Sequence, residues 1–313
     1  MGKWRCTMDV KNILIIGGTG FIGGNLVKRC LQLNFNITVI SLFNLVNTIS
    51  RVEYIQIDLN DREKLKDKLK NRKFNYIVNC AGYINHDSFF IEGRKVIDTH
   101  FIGLLNLIEV INRDKLVKFI NIGSSDEYGR NEAPQEESVR ENPISPYSFS
   151  KVACTHFLQM LWEMNNFPSL TIRLFLTYGP GQSTNRLIPN TIISCLKGNT
   201  FSVSKGLQLR DFCYIDDVID AILVSLDNLS TNGMILNIGS GEAMKVCDVI
   251  ELIRKKIGSG NPEYGKINYR PGENMKLYSN ISQACNILRW KPQVEIERGL
   301  ENTIEYYKTQ VNY

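Results

Sequence analysis

Histidine is scarce, with three in 313 residues. Eight cysteines occur, at Cys6, Cys30, Cys80, Cys154, Cys195, Cys213, Cys247 and Cys285, but none form a CxxC pair and their spacing fits no zinc module. These absences argue against a metal site and predict reduced, mostly buried thiols in a cytoplasmic protein. No apolar run approaches the roughly 20 residues needed to cross a bilayer. The first nine residues hold one Trp and no apolar stretch, which reads as a lead-in and not as a secretion signal. The 37 basic and 32 acidic residues leave a net charge of +5, scattered without runs of one sign. That gives no footprint for nucleic acid or a membrane surface.

The apolar share of 43% and charged share of 22% are those of a chain that buries a core. Short β-branched runs at 13–16, 37–40, 52–57, 76–79, 119–122 and 170–174 are apolar on both faces, as in a buried parallel sheet. Helices are predicted between them, over 21–33, 61–69, 96–111 and 147–164. Strands alternating with helices predict an α/β fold, a Rossmann-like doubly wound parallel sheet spanning 10–180. After Gly181 the pattern loosens, with helices predicted over 217–226, 246–256, 282–288 and 297–307 and a strand over 234–238. We read 181–313 as a smaller C-terminal substrate-binding lobe that closes a cleft, with 213–239 packing back onto the first domain.

Gly17, Gly20 and Gly23 form GxxGxxG between the first strand and the first helix. Gly17 permits the tight turn, Gly20 lets a pyrophosphate approach the backbone, and Gly23 lets helix and strand pack closely. Thr19, Phe21 and Ile22 belong to the same turn, where a helix N-terminus offers unpaired N–H groups to phosphate. An acid at the end of strand two commonly takes the adenosine ribose hydroxyls. Here that end carries Ser41 and Asn44, with no acid and no nearby base for a 2′-phosphate, which favours NAD over NADP. Asp58 and Leu59, after strand three, are placed to border the adenine.

Tyr147 and Lys151 stand four apart at the start of a helix, just after Pro146. They share a helix face, and an ammonium beside a phenol lowers the phenol pKa from ~10 toward neutrality. Such a tyrosine takes or returns a hydroxyl proton while hydride moves to or from nicotinamide. Ser124, in Gly-Ser-Ser-Asp-Glu-Tyr-Gly at 123–129, falls at the ligand-facing end of strand five and can bond the same substrate oxygen.

With these motifs in order, the chain resembles the extended short-chain dehydrogenase/reductases acting on nucleotide-diphosphate sugars, the NAD-dependent sugar-nucleotide epimerase/dehydratase family. The resemblance runs from Lys11 to Tyr307. Besides the motifs above it rests on Asn79-Cys-Ala-Gly82, Arg173, Tyr178-Gly-Pro-Gly-Gln182, Arg210-Asp-Phe-Cys-Tyr-Ile-Asp-Asp217, Asn237-Ile-Gly-Ser-Gly241 and Arg270-Pro-Gly-Glu273. It implies that Ser124, Tyr147 and Lys151 are catalytic and that Cys80, Ala81 and Gly82 lie along the cofactor. It implies that Arg210 and Arg270 hold the nucleotide diphosphate, a role suited to fork-shaped guanidinium. Asn185, Arg186 and Leu187 lie where the family grips substrate. The implied partners are a nucleotide-diphosphate sugar and a second copy of the chain, since the helices over 96–111 and 147–164 are apolar around much of their circumference. The competing reading of Arg210 is a salt bridge to Asp211 or Asp217.

The implied activity is redox chemistry at C4: 4-epimerisation, 4-dehydrogenation or 4-keto reduction. The alternative is 4,6-dehydration, with Asp126 or Glu127 as acid–base. Two registers stay open: aligned on Tyr128-Gly129 the catalytic hydroxyl is Ser124, and aligned on Asp126-Glu127 it is Ser125. Three family features depart from the pattern. Leu176 replaces an Asn beyond Arg173, the strand-two acid is missing, and His100 stands where an Asn usually supports the active-site backbone. We read His100 as a core histidine. His86 and Ser88 lie on a loop that borders the sugar, with His86 read as a solvated loop histidine that contacts substrate or, alternatively, as an extra acid–base; His156 faces away from the site. The intact Ser–Tyr–Lys set argues against a cofactor-sensing or scaffolding member of the fold.

Overall fold

The first strand, β1 (Asn12–Ile16), shows how the sheet is buried. Side chains alternate across a strand, so Ile13 and Ile15 enter one apolar cluster while Leu14 and Ile16 enter another on the opposite face. A strand buried on both faces must lie between two layers of helices, and that is the arrangement of the computed structural model. It describes residues 11–42, 48–270 and 272–311; the candidate Asn44 lies outside the described residues.

The order is β1, α1 (Phe21–Gln32), β2 (Asn36–Ser41), β3 (Val52–Gln56), α2 (Arg62–Leu69) and β4 (Tyr76–Asn79). A helical stretch follows, in which the π-helical turns Phe89–Gly93 and Asp98–Ile102 alternate with α3 (Arg94–Ile97) and α4 (Gly103–Val110). Then come β5 (Lys118–Ser124), α5 (Pro146–Asn165) and β6 (Ser169–Leu174). The remainder runs β7 (Leu176–Tyr178), α6 (Leu187–Leu196), β8 (Thr200–Val203), β9 (Leu209–Arg210), β10 (Phe212–Tyr214), α7 (Ile215–Leu226) and β11 (Ile235–Ile238). The chain closes with β12 (Met244–Lys245), α8 (Val246–Ile257), β13 (Asn261–Tyr264), β14 (Lys276–Leu277), α9 (Ser282–Leu288) and α10 (Ile296–Val311).

Seven strands form one sheet in the order β11-β6-β5-β4-β1-β2-β3, every pairing parallel. From β1 the chain winds outward to β3, then returns to β4 on the other side of β1. The sheet order therefore reverses beside β1, and in such sheets ligands bind in the crevice at the carboxyl ends of these strands. Leu26, Val27 and Cys30 of α1 pack with Val218 and Ile222 of α7 over one face. Leu65 and Leu69 of α2, Leu104 and Leu107 of α4 and Leu158 of α5 cover the other. No helix among the described residues is long and apolar enough to cross a membrane.

Between Leu174 and Ile235 the chain leaves the seven-stranded sheet and returns: β11 pairs with β6, Leu236 opposite Ile172. The chain beyond Gly181 contains a helix that its periodicity does not reveal, α6, which packs on α8 and α10. Its Pro189 falls within the first turn, where a missing N–H costs little, so the proline hides the helix without breaking it. Likewise the helical stretch before β5 begins at Phe89 and not at Val96, because Gly93 is needed inside it: a Cβ there would meet the Pro146 ring at 2.8 Å.

Candidate active site

The glycine turn is built from backbone packed on backbone. Gly17 has φ +72°, and a Cβ there would lie 3.0 Å from Ala81 N and Cys80 O. A Cβ on Gly23 would lie 2.3 Å from Gly17 O, so helix α1 touches the turn directly. Gly20 differs: a Cβ would meet only Gly17 O at 3.3 Å, and its outward side is open. Helix α1 starts there with no side-chain cap and no acid in its first turn, leaving its first N–H groups without a protein acceptor. Thr19 and Ser41 hydroxyls share a hydrogen bond at 2.8 Å, tying the turn to the end of β2. Asn79 Oδ1 accepts from Ala81 N–H at 3.2 Å and fixes the bend that carries Cys80 and Gly82. Burial pushes the Cys80 thiol up to about 12, so it stays neutral. Asp58 is exposed, with Oδ1 accepting from Asn60 N–H at 2.9 Å, and Leu59 is buried beneath Gly103.

Ser124 ends β5 and caps the short helical turn Ser125–Tyr128. Its Oγ accepts from Asp126 N–H at 3.1 Å, which leaves its own hydrogen free to donate. Tyr147 is fixed by the start of α5, where Ser145 and Ser148 form a reciprocal capping box and Pro146 occupies the first turn. One turn on, Lys151 Nζ donates to Ile122 O at 2.7 Å. The hydroxyl that bears on the Tyr147 phenol is that of Ser124; Ser125 is buried behind it.

The surroundings of the Tyr147 phenol differ from the expectation that Lys151 alone sets its pKa. Burial pushes the Tyr147 phenol up, and Asp126 adds to the shift, against a smaller lowering by Ser124. The Lys151 ammonium sits 5.9 Å from the ring centre, drawn toward Ile122 O, and burial lowers its own pKa.

Two histidines flank the tyrosine. The rings of His86 and His100 each meet that of Tyr147 edge-on, with centroids 5.3 Å apart. His100 is buried, and its Nε2 lies 3.2 Å from both Tyr83 N and Tyr83 O. Burial lowers it to about 3, so it is a neutral wall that also supports the backbone leading to His86. The π-helical turn Asp98–Ile102 carries it into the site. His86 Nε2 faces Asp126 Oδ2 at 3.7 Å. Desolvation lowers the His86 pKa, partly offset by Asp126, and Arg270, Arg186 and Glu273 also bear on it.

Arg210 is nearly buried; its Nη1 donates to Leu209 O at 2.8 Å and its Nη2 pairs with Glu273. Neither acid considered from the sequence is its partner. Asp211 accepts from Ser240 and Ser279, and Asp217 from Gln293 N–H and Val294 N–H. Arg186 and Asn185 are exposed at the start of α6, Leu187 is half-buried, and Arg270 is exposed. Ser88 stands at the start of the Phe89–Gly93 turn and lines a shallow groove with Phe89, Pro146 and Phe149, outside the hydrogen bonds around Tyr147. His156 bonds Glu141 at 3.1 Å.

The sequence did not disclose a buried network beneath the site. Glu127 and Arg173 side chains are both 0% exposed. Glu127 Oε1 accepts from Ser124 N–H at 2.9 Å; its Oε2 accepts from Thr155 Oγ1 at 2.8 Å and Arg173 Nε at 2.9 Å. Arg173 also pairs with Glu141 and lies over the Tyr128 ring, 4.6 Å from its centre, with Nη1 unpartnered. Glu127 therefore joins β5, α5 and β6. Of the two acids considered for dehydration, the fold uses Glu127 for this junction and leaves only Asp126 partly exposed.

Residues 13–239 match the family described as NAD dependent epimerase/dehydratase. The chain belongs to that family. It is an enzyme, and NAD is its cofactor. Human dTDP-D-glucose 4,6-dehydratase is 29% identical over 318 positions, covering 95% of this chain and 90% of the relative. The solved UDP-glucose 4-epimerase of Thermotoga maritima is similar with a TM-score of 0.88 and 25% identity, over 96% of this chain and 99% of its own. The UDP-glucuronic acid 4-epimerase of Bacillus cereus, solved with UDP-glucuronic acid and NAD, gives 0.86 and 25% over 96% and 99%.

Proposed function

We propose that this enzyme carries out redox chemistry at C4 of a nucleotide-diphosphate sugar. The observation that carries the reading is the convergence of the Ser124 hydroxyl and the Tyr147 phenol at the carboxyl end of β5, with Arg186, Arg210 and Arg270 contributing positive charge around them. In this reading Ser124 donates to the C4 oxygen and Tyr147 takes or returns its proton. Asp126 and burial keep Tyr147 protonated at rest, which suits returning a proton to a C4 ketone. Lys151 orients Tyr147 and the cofactor ribose from within α5. The arginines hold the two phosphates of the substrate.

The glycine cradle suits NAD. The open face of Gly20 and the uncapped start of α1 admit a pyrophosphate, Ser41 borders the ribose, and Cys80–Gly82 flank the nicotinamide side. Bound there, NAD supplies a reversible hydride acceptor. 4,6-Dehydration, with water lost across C5–C6, is the second reading, favoured by the human relative and by the partly exposed carboxylate of Asp126.

We further propose a homodimer formed through α4 and α5, in a reducing cytoplasm that keeps the thiols free. Phe149, Met160 and Met164 of α5 leave apolar surface exposed. The test of the activity is incubation with UDP-glucose, UDP-glucuronic acid and dTDP-glucose, following reduced nicotinamide by absorbance and the sugar by mass spectrometry. Oxidation at C4, or inversion there, is the expected result. If none of the three is altered at C4 and none raises the melting temperature, the reading fails.

A further inference from the structure

The pairing of His86 with Asp126 is not needed for hydride and proton exchange at C4, which Ser124 and Tyr147 complete. Yet it is constructed. Asn85 Oδ1 accepts from Asp87 N–H at 2.6 Å, and Asn85 Nδ2 donates to Glu92 Oε2 at 3.1 Å and Asp87 Oδ2 at 3.0 Å. The residues on both sides of His86 are thus tied down. On the other strand end, Asp126 is set by its N–H bond to Ser124 and by the Glu127 junction. His86 packs edge-on against Tyr147, so the imidazole, the carboxylate and the phenol border one space. Both His86 and Asp126 are about one-third exposed, at 33% and 35%, and therefore reachable by substrate. Nε2 is the ring nitrogen turned toward Asp126. At 3.7 Å the carboxylate lies beyond hydrogen-bond distance but close enough to stabilise an imidazolium by charge.

We propose that His86 and Asp126 are a second proton-transfer pair, by which the enzyme exchanges with solvent the proton on a sugar carbon adjacent to C4. The proposal rests on the C4 reading and deepens it. Once C4 is a ketone, the neighbouring C–H bond is acidified. The His86 imidazole takes that proton, the C–H electron pair moves into the ketone as an enolate, and Ser124 and Tyr147 donate to its oxygen. The imidazolium, after exchange with water, returns a proton to the same carbon, so that no net oxidation or reduction accompanies the step. The charged groups facing His86 are Asp126, Arg270, Arg186 and Glu273; the arginines favour the neutral imidazole that a base requires, and Asp126 stabilises the imidazolium that forms.

Two measurements test this. In the full-length chain, with three histidines, the imidazole signals are followed by NMR through a pH titration, His86 being assigned by its loss in His86→Asn. Asp126→Asn should lower the His86 midpoint; an unchanged midpoint overturns the pairing. The enzyme with NAD is then incubated with UDP-glucose, UDP-glucuronic acid and dTDP-glucose in deuterated water. The ratio of deuterium gained beside C4 to sugar oxidised at C4 is read by mass spectrometry. That ratio should fall about a hundredfold in His86→Asn, in line with a general base, and also fall in Asp126→Asn. C4 oxidation without deuterium in the wild type, or an unchanged ratio in His86→Asn, overturns the proposal while leaving the C4 reading intact. No oxidation of any of the three sugars overturns the C4 reading and the proposal with it.

Discussion

Replacing Glu127 by Ala tests whether this carboxylate is architecture or chemistry. The substitution removes the acceptor for three donors: Ser124 N–H, Thr155 Oγ1–H and Arg173 Nε–H. Breaking a buried ion pair by removing one partner costs about 3–5 kcal/mol, because the other charge remains buried. Arg173 keeps Glu141, which places the charge contribution at the lower end. The orphaned Ser124 and Thr155 donors each add roughly 1–3 kcal/mol where water cannot reach them. The expected loss is therefore about 5 kcal/mol, taking the lower end of each contribution. At roughly 2–4 °C per kcal/mol for a chain of this size, the melting temperature should fall by about 10–20 °C. Urea unfolding followed by circular dichroism, with thermal melts alongside, measures both. Glu127→Gln keeps one acceptor oxygen and the side-chain shape, and should lose about half as much. A Glu127→Ala protein within about 1 kcal/mol of wild type would refute the reasoning. If Glu127→Gln instead kept full stability while losing only turnover, the residue would belong to the chemistry.

Tyr147→Phe should lower turnover on the identified sugar nucleotide by about 10²–10⁴ while calorimetry shows NAD still bound. Gly20→Ala should fold with a small local adjustment, since its Cβ meets only Gly17 O, at 3.3 Å, but lose about tenfold to a hundredfold in NAD affinity through phosphate hydrogen bonds worth about 1.5–3 kcal/mol. Gly23→Ala, with its Cβ 2.3 Å from Gly17 O, should lose stability as well. His100 is lowered from 6.5 to about 3. The unfolded chain protonates there as pH falls below 6.5 and the folded chain does not, so stability drops on acidification between those values. Its contribution is about 1.4 kcal/mol per pH unit, and urea midpoints at pH 6 and 5 should show that slope shrinking in His100→Asn. Sedimentation at micromolar concentration should give twice the chain mass; the mass of one chain would remove the dimer.

The sheet was legible because its inner strands are buried on both faces, so each β-branched run carries its signal regardless of its partners; the edge strand β3, with Glu53 and Gln56 exposed, departs from that pattern. The glycine turn was legible for a related reason: Gly17 and Gly23 are constrained by backbone atoms, which leaves glycine as the residue that fits. The part of the chain beyond Gly181 was less legible. Its strands are two to four residues long, too short for alternation to register, and Pro189 masks α6.

The site itself was legible as a set of residues but not as a division of labour among them. The run Ser124-Ser125-Asp126-Glu127 offers two hydroxyls and two carboxylates, and no local rule says which pair faces substrate. What decides it is packing at a distance. Arg173, on β6, pairs with Glu141 and with Glu127, and of the two acids in the run it is Glu127 that reaches it while also accepting from Thr155 on α5. Once Glu127 is drawn inward, the short helical turn rotates Ser125 into the interior and leaves Ser124 beside Tyr147 and Asp126 beside His86. The buried arginine thus selects the register, and through it which carboxylate remains available for chemistry.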